Sequence, residues 1–196
     1  MMKAYYERRA PEYDDWYTGS GLYGDRVRPG WREELDALTA ALADLPPART
    51  LDVACGTGFL TRHLRGEFTL LDQSQSMLDL AVDRLPAADV VRSEAPPLPF
   101  ADASFERVFT GHFYGHLEEP ARKLFLVEAR RVAPELVVVD SARRDDAEAE
   151  EWQERVLSDG SRHAVYKRYF TGEGLAAELG GADVLLDGRW FVAVRA

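Results

Sequence analysis

Leu51-Asp52-Val53-Ala54-Cys55-Gly56-Thr57-Gly58-Phe59-Leu60-Thr61 is the stretch whose reading decides the fold. Residues 50–54 form a short apolar run of the kind that makes a buried strand. Gly56 and Gly58 follow at its end, where the missing Cβ lets the backbone turn sharply and come close to a ligand. Residues 58–64 then read as a helix, whose free N–H groups and positive dipole end would face an anionic group. Such a G-x-G supports two readings, a tight strand-to-helix turn and a nucleotide-binding loop. Two more specific motifs fail on spacing. A dinucleotide fingerprint needs a third glycine where Thr61 stands. A phosphate-binding P-loop needs Gly-Lys-Ser/Thr where Phe59-Leu60 follow the second glycine.

Working outward, strand-like and helix-like segments alternate. Residues 68–71 read as a strand, and 74–85 as a helix with Met77, Leu78, Ala81 and Val82 on one face. Residues 89–91 and 105–110 read as strands and 120–132 as a helix; 136–139 is a continuous apolar run typical of a strand buried on both faces. Upstream, Leu35, Leu38, Leu42 and Leu45 recur at spacings of three and four, an amphipathic helix that Pro46-Pro47 ends. Downstream, Thr171 caps a helix over 171–179, and strands at 184–186 and 191–194 flank the turn dipeptide Asp187-Gly188. This order predicts one α/β domain over residues 1–196: a Rossmann-like three-layer sandwich whose mostly parallel seven-stranded sheet ends in an antiparallel hairpin.

Composition bounds the partners. The chain is 46% hydrophobic and 30% charged, the balance of an ordinary globular protein. No apolar run approaches the roughly 18–20 residues that span a bilayer, and the first residues turn polar at once, so a cytoplasmic location is expected. The single cysteine, Cys55, leaves no intrachain disulfide and no cysteine-based metal cluster, and no metal site is read elsewhere. With a net charge of −10 and acids beside its nearest basic pairs, Arg26/Arg28 and Arg143-Arg144, the chain is expected to act on a small molecule and not on nucleic acid or a membrane.

In detail the chain resembles the class I S-adenosylmethionine (SAM)-dependent methyltransferases, in particular the small-molecule branch that includes quinone-biosynthesis C-methyltransferases. The likeness is clear over residues 50–140. Residues 51–58 resemble the family's first motif, with Ala54 in place of the commoner first glycine. Leu70-Leu71-Asp72-Gln73-Ser74-Gln75-Ser76-Met77-Leu78 resembles the second, which implies that Asp72 holds both ribose hydroxyls and that Met77 packs near the adenine. Residues 91–106 resemble the third, although the chain has Glu94-Ala95 where the family has Asp-Ala and Glu106 where it has Asp. The longer Glu94 would accept from the adenine amino group. The resemblance therefore implies a SAM site made of Asp52, Ala54, Cys55, Gly56, Gly58, Asp72, Gln73, Met77, Glu94, Ala95 and Thr110.

Thr110-Gly111-His112-Phe113-Tyr114-Gly115-His116-Leu117-Glu118-Glu119-Pro120 follows the fourth strand, where ligands of open α/β sheets sit. His112 is the expected base and Tyr114 its orienting partner, both catalytic candidates by position. His116 belongs to a His-Leu-acid-x-Pro run that in relatives is structural. The aromatic segment 1–30 resembles the branch's opening lid over the cofactor, although its rings would equally staple the terminus to the core. Residues 141–170 stand where relatives insert a cap over the substrate, so Trp152, Tyr166 and Tyr169 are candidate lining residues. The charge run 143–152 within this insertion reads as a solvated helix face. Methylation of nucleic acid is disfavoured, because Thr110-Gly111-His112-Phe113 stands where amino-methyltransferases carry an Asp/Asn-Pro-Pro-aromatic motif. The alternatives are methylation of a protein or nucleic acid, and a SAM or nucleotide binder without catalysis.

Overall fold

The structure is a computed structural model that describes residues 2–144 and 148–196; Asp145, Asp146 and Ala147 of the charge run lie outside the described residues. Two short helices, α1 (Met2–Arg9) and α2 (Asp15–Thr18), precede α3 (Trp31–Ala43). The sheet then begins with β1 (Ala48–Val53), β2 (Gly66–Asp72), α4 (Gln75–Arg84), β3 (Asp89–Arg92) and β4 (Arg107–Gly111). Next come α5 (Glu119–Val132) and β5 (Glu135–Ser141), then an added hairpin, β6 (Glu150–Val156) and β7 (Arg162–Arg168). The chain closes with α6 (Gly172–Glu178), β8 (Asp183–Asp187) and β9 (Phe191–Arg195).

Seven strands form the main sheet in the order β3-β2-β1-β4-β5-β9-β8. The first five are parallel, and β9 runs antiparallel to both β5 and β8, as the sequence pattern predicts. The order reverses between β1 and β4, which opens a crevice at the carboxyl ends of these strands. Strand alternation builds a core on each face. Val108, Leu136, Val138, Val192 and Val194 pack against Phe125, Ala129 and Val132 of α5 and Leu175 of α6. Their neighbours Phe109, Val137, Val139, Phe191 and Ala193 pack against Trp31, Leu38 and Leu42 of α3.

Three expectations need correction. The helix expected over 58–64 is absent: the short connection from β1 to β2 holds one 3₁₀ turn, Thr61–His63, closed by bonds such as Leu64 N–H to the Thr61 carbonyl (2.9 Å). Gly56 and Gly58 both sit at positive φ and consume the residues a helix would need for its first turn. The glycine loop thus has no helix dipole behind it to face an anionic group. The final hairpin turns through Gly188, Arg189 and Trp190 and not through Asp187-Gly188 alone. Glu34 of α3 fills this turn, accepting the backbone N–H groups of Arg189, Trp190 and Phe191 at 2.6–3.0 Å. Finally, the charge run, read as a solvated helix face, is solvated but not helical where described: its last residues, 150–152, are exposed and open β6, which pairs seven residues with seven of β7.

Candidate active site

The β1 end is shaped by backbone conformation. Ala54 and Gly56 both adopt left-handed φ, 57° and 54°. Glycine takes this region without strain, and alanine at a cost. The loop so formed turns its N–H groups inward. Gly56 N–H donates to Asp72 at the end of β2 (3.0 Å), and Ser74 N–H donates to the other oxygen of the same carboxylate (2.9 Å). Asp72 is only 6% exposed. Burial pushes its carboxyl above the ordinary range, while these N–H groups pull it back.

Asp72, Ala54, Gly56, Gln73, Glu94 and Ala95 meet in one cavity of about 210 Å³, closed by Tyr6 and Tyr13 from the N-terminal segment and by His112, Phe113 and His116. Tyr13 packs on the loop itself: a Cβ on Gly56 would lie 3.3 Å from its ring. The segment is tied down by polar bonds as well. Glu7 accepts the N–H groups of Gln75 and Ser76 at the start of α4 (2.9 and 3.0 Å), which holds its carboxyl down at about 2; the Ser76 hydrogen bond is the leading cause. Asp14 joins Thr57 of the loop (2.6 Å) and Arg84 of α4 (2.6 Å). Of the opening aromatics, Tyr5 and Tyr17 are buried in the core, while Tyr6 and Tyr13 wall the cavity.

Other residues assigned to the cofactor lie elsewhere. Period-two alternation turns Asp52 away from the cavity, so it bonds Thr61 beneath the loop, and burial lifts its carboxyl to about 7. Cys55 faces the same small void. Gly58 rests against Leu85 and Ala81, Met77 is fully buried outside the cavity, and the Thr110 hydroxyl donates to the Val53 carbonyl (2.8 Å).

His112 stands at left-handed φ (58°) at the end of β4 and borders both this cavity and a second, larger one of about 800 Å³. A strained backbone at such a place is a common mark of a working residue. Its Nδ1 lies 3.4 Å from the Ser141 hydroxyl and 3.9 Å from Asp140, and its buried Nε2 has no partner. Burial is the main cause that lowers its pKa to about 3, so the ring is neutral at physiological pH and a weak base. Tyr114 corrects the expectation made for it. Its ring packs between Phe125 and Phe170, its hydroxyl donates to Glu178 (2.9 Å), and it reaches neither cavity. His116 is anchored by Nδ1 to the Tyr166 carbonyl (2.6 Å) yet also borders both cavities.

The larger cavity lies under the β6–β7 hairpin. Trp152 and Tyr169 line it; Tyr166 does not, its hydroxyl being bonded to Glu150 (2.7 Å). Sequence reasoning missed Asp140 and Lys167, a buried ion pair beside His112. Asp140 also accepts from Gly115 and Ser141 N–H (2.7 Å each). The one available signal was a carboxylate closing the apolar run of β5.

A strand order with its crevice between β1 and β4, over an acid that ends β2, defines a nucleotide-cofactor fold of the methyltransferase type. Residues 50–135 match the model of a methyltransferase domain family. The chain is 33% identical over 107 residues to demethylmenaquinone methyltransferase of Thermotoga maritima, covering 52% of this chain and 44% of that one. It is 35% identical over 126 residues to phthiotriol/phenolphthiotriol dimycocerosates methyltransferase 1 of Mycobacterium ulcerans, covering 59% and 45%. The chain spans about half the length of the relatives it matches. Among solved structures it superimposes on DhpI in complex with SAM and HEP with a TM-score of 0.73 and 24% identity, over 98% of this chain and 94% of that one, a likeness of fold.

Residues 50–135 thus match a methyltransferase domain family, and the chain is similar to the class I SAM-dependent methyltransferases. SAM is that family's cofactor, and the residues present fit it. A buried carboxylate with lone pairs to spare borders a cleft next to a glycine loop, and Glu94 lies on the same wall. Among the described residues, no helix is long and apolar enough to cross a membrane.

Proposed function

We propose that the protein transfers the methyl group of SAM to a small-molecule acceptor bound in the larger cavity. The observation that carries this reading is the junction at His112, where the Asp72 cavity and the 800 Å³ cavity share one wall. Asp72 would hold the ribose hydroxyls, Glu94 the adenine amino group, and the Ala54–Gly56 backbone the cofactor's remaining length. SAM supplies an activated methyl group: the acceptor's lone pair bonds the methyl carbon as the carbon–sulfur bond breaks and its electron pair returns to sulfur. The chain's own part is alignment and exclusion of water, which supplies about 7–11 kcal/mol in well-oriented reactions. Tyr6 and Tyr13 cover the junction from the N-terminal side. His112, neutral with Nε2 unpartnered, would accept a hydrogen bond from an acceptor O–H or N–H and so aim its lone pair. Turnover unchanged in His112→Ala would remove that role.

The test is calorimetric titration with SAM and, separately, NADH. Saturable SAM binding that Asp72→Ala weakens about a hundredfold is expected, since hydrogen bonds to charged groups contribute about 1.5–3 kcal/mol each. NADH binding without SAM binding would overturn the reading.

A further inference from the structure

The protein is acidic, with a net charge of −10, yet Arg9, Arg26, Arg28, Arg144, Arg155 and Lys167 all border the larger cavity. Their partners are revealing. Lys167 is paired with Asp140. Arg9 is only 4% exposed, and among the described residues its one hydrogen bond is from Nη2 to the Tyr23 hydroxyl (3.1 Å). Its Nε is buried without a partner, and the rings of Tyr5, Tyr13 and Tyr23 surround it at 5.4–5.8 Å. Arg155 donates to neutral oxygens, Gln153 Oε1 (3.1 and 3.3 Å) and the Tyr5 hydroxyl (3.5 Å). Among the described residues, no carboxylate lies within ion-pair distance of Arg9 or Arg155.

The two acids on the cavity wall are engaged elsewhere. Glu154 pairs with Arg162, and Glu151 accepts from Gln153 and the Tyr169 hydroxyl. Guanidinium groups are almost never buried unless paired, because removing them from water costs more than neutral contacts return. Arg9 follows Tyr6 by three residues on α1, so both project from one face, toward the wall shared with the cofactor cavity. Trp16 and Trp152 add apolar surface to the same cavity.

We propose that the larger cavity binds a small organic acid as the methyl acceptor, its oxyanion held by Arg9 and Arg155. This rests on the methyltransferase reading above and adds the acceptor's chemical class. The oxyanion is a carboxylate, phosphonate or phosphate, all of which a guanidinium fork can hold in two hydrogen bonds. The aromatic walls take the body of the molecule. Two cations of this kind, Arg9 buried and Arg155 half-buried, would favour the acid over the uncharged amide or alcohol of the same shape.

The test is calorimetry on protein saturated with S-adenosylhomocysteine, using benzoate, phenylphosphonate, inorganic phosphate and the uncharged benzamide as probes. At least one organic acid is expected to bind saturably, with benzamide at least tenfold weaker; benzoate against phenylphosphonate shows which oxyanion is preferred. Arg9→Gln and Arg155→Gln should each weaken the acid at least tenfold and leave SAM affinity within about twofold, while Arg9→Lys should recover part of the loss. Equal binding of acid and amide to the unaltered protein, or no acid binding, overturns the proposal, and neither result depends on a variant's folding. Loss of SAM affinity in Arg9→Gln as large as the loss for the acid also overturns it, because the guanidinium would then serve the cofactor's own carboxylate. Repeating the acid titration without S-adenosylhomocysteine reads the anion site even if SAM fails to bind, so failure of the methyltransferase reading is seen separately.

Discussion

The two cavities that meet at His112 are built by opposite rules. The smaller one is assembled from the ends of neighbouring strands β1, β2 and β4, and its charged members are the acids Asp72 and Glu94. The larger one draws on α1, the irregular run around residues 22–28, the end of β5 and the β6–β7 hairpin, and its charge is mainly basic. One is a feature of the sheet, which the family shares; the other is made by segments laid over the sheet. The difference bears on where each proposed function would reside. A cofactor common to the family fits the part that the fold dictates, while acceptor choice fits the part that insertions can vary without disturbing the core.

The comparison is broken most severely at Asp140, the buried carboxylate beneath the larger cavity. Asp140→Ala strands Lys167 and two backbone N–H groups, and truncating one partner of a buried pair typically costs about 3–5 kcal/mol. Chemical denaturation should show that loss, and a protein as stable as wild type would mean that the pair is solvated. Glu7 sharpens the comparison from the cofactor side, since it pins the N-terminal segment to α4. Glu7→Gln should cost about 1 kcal/mol, as loss of a helix-capping carboxylate does.

The same residue sets a pH dependence. Because its folded pKa lies below the ordinary value of 4.5, its contribution is complete above about pH 4.5 and is lost as pH falls toward 2. Proteolysis of residues 1–30 followed against pH would show the wild-type segment loosening over that window, with Glu7→Gln lacking the dependence. The smallest effect is expected at Ala54. A left-handed alanine costs about 1–2 kcal/mol, which glycine relieves while losing about 0.5–1 kcal/mol of its own in chain entropy. Ala54→Gly should therefore raise stability by 1 kcal/mol or less and leave SAM affinity near wild type. A marked loss of SAM affinity would show that the alanine methyl contributes to the cofactor wall.

Much of the smaller cavity was legible in the chain. Asp72 was found because it ends an apolar strand just after a glycine loop, and both signals are local in sequence. The residues misplaced there, Asp52, Met77 and Thr110 among them, lie on or beside the same motifs. Motif position does not say toward which face a side chain points, and strand alternation sends Asp52 beneath the loop. Tyr114 failed for a similar reason: two residues after His112, the chain has entered a 3₁₀ turn that points the ring into the α5 core.

The sequence by itself determined the α/β class and a mostly parallel seven-stranded sheet with its closing antiparallel hairpin. Hydrophobic period and glycine placement act over a few residues, so they can be read without knowing what packs on what. Only the tertiary structure decided that the loop after β1 carries no helix, that Asp140 and Lys167 pair beside His112, and that an acidic chain keeps a basic cavity. Arg9 and Arg155 are far apart in the chain but border one space, and net charge sums over the whole surface without recording which charges fold inward.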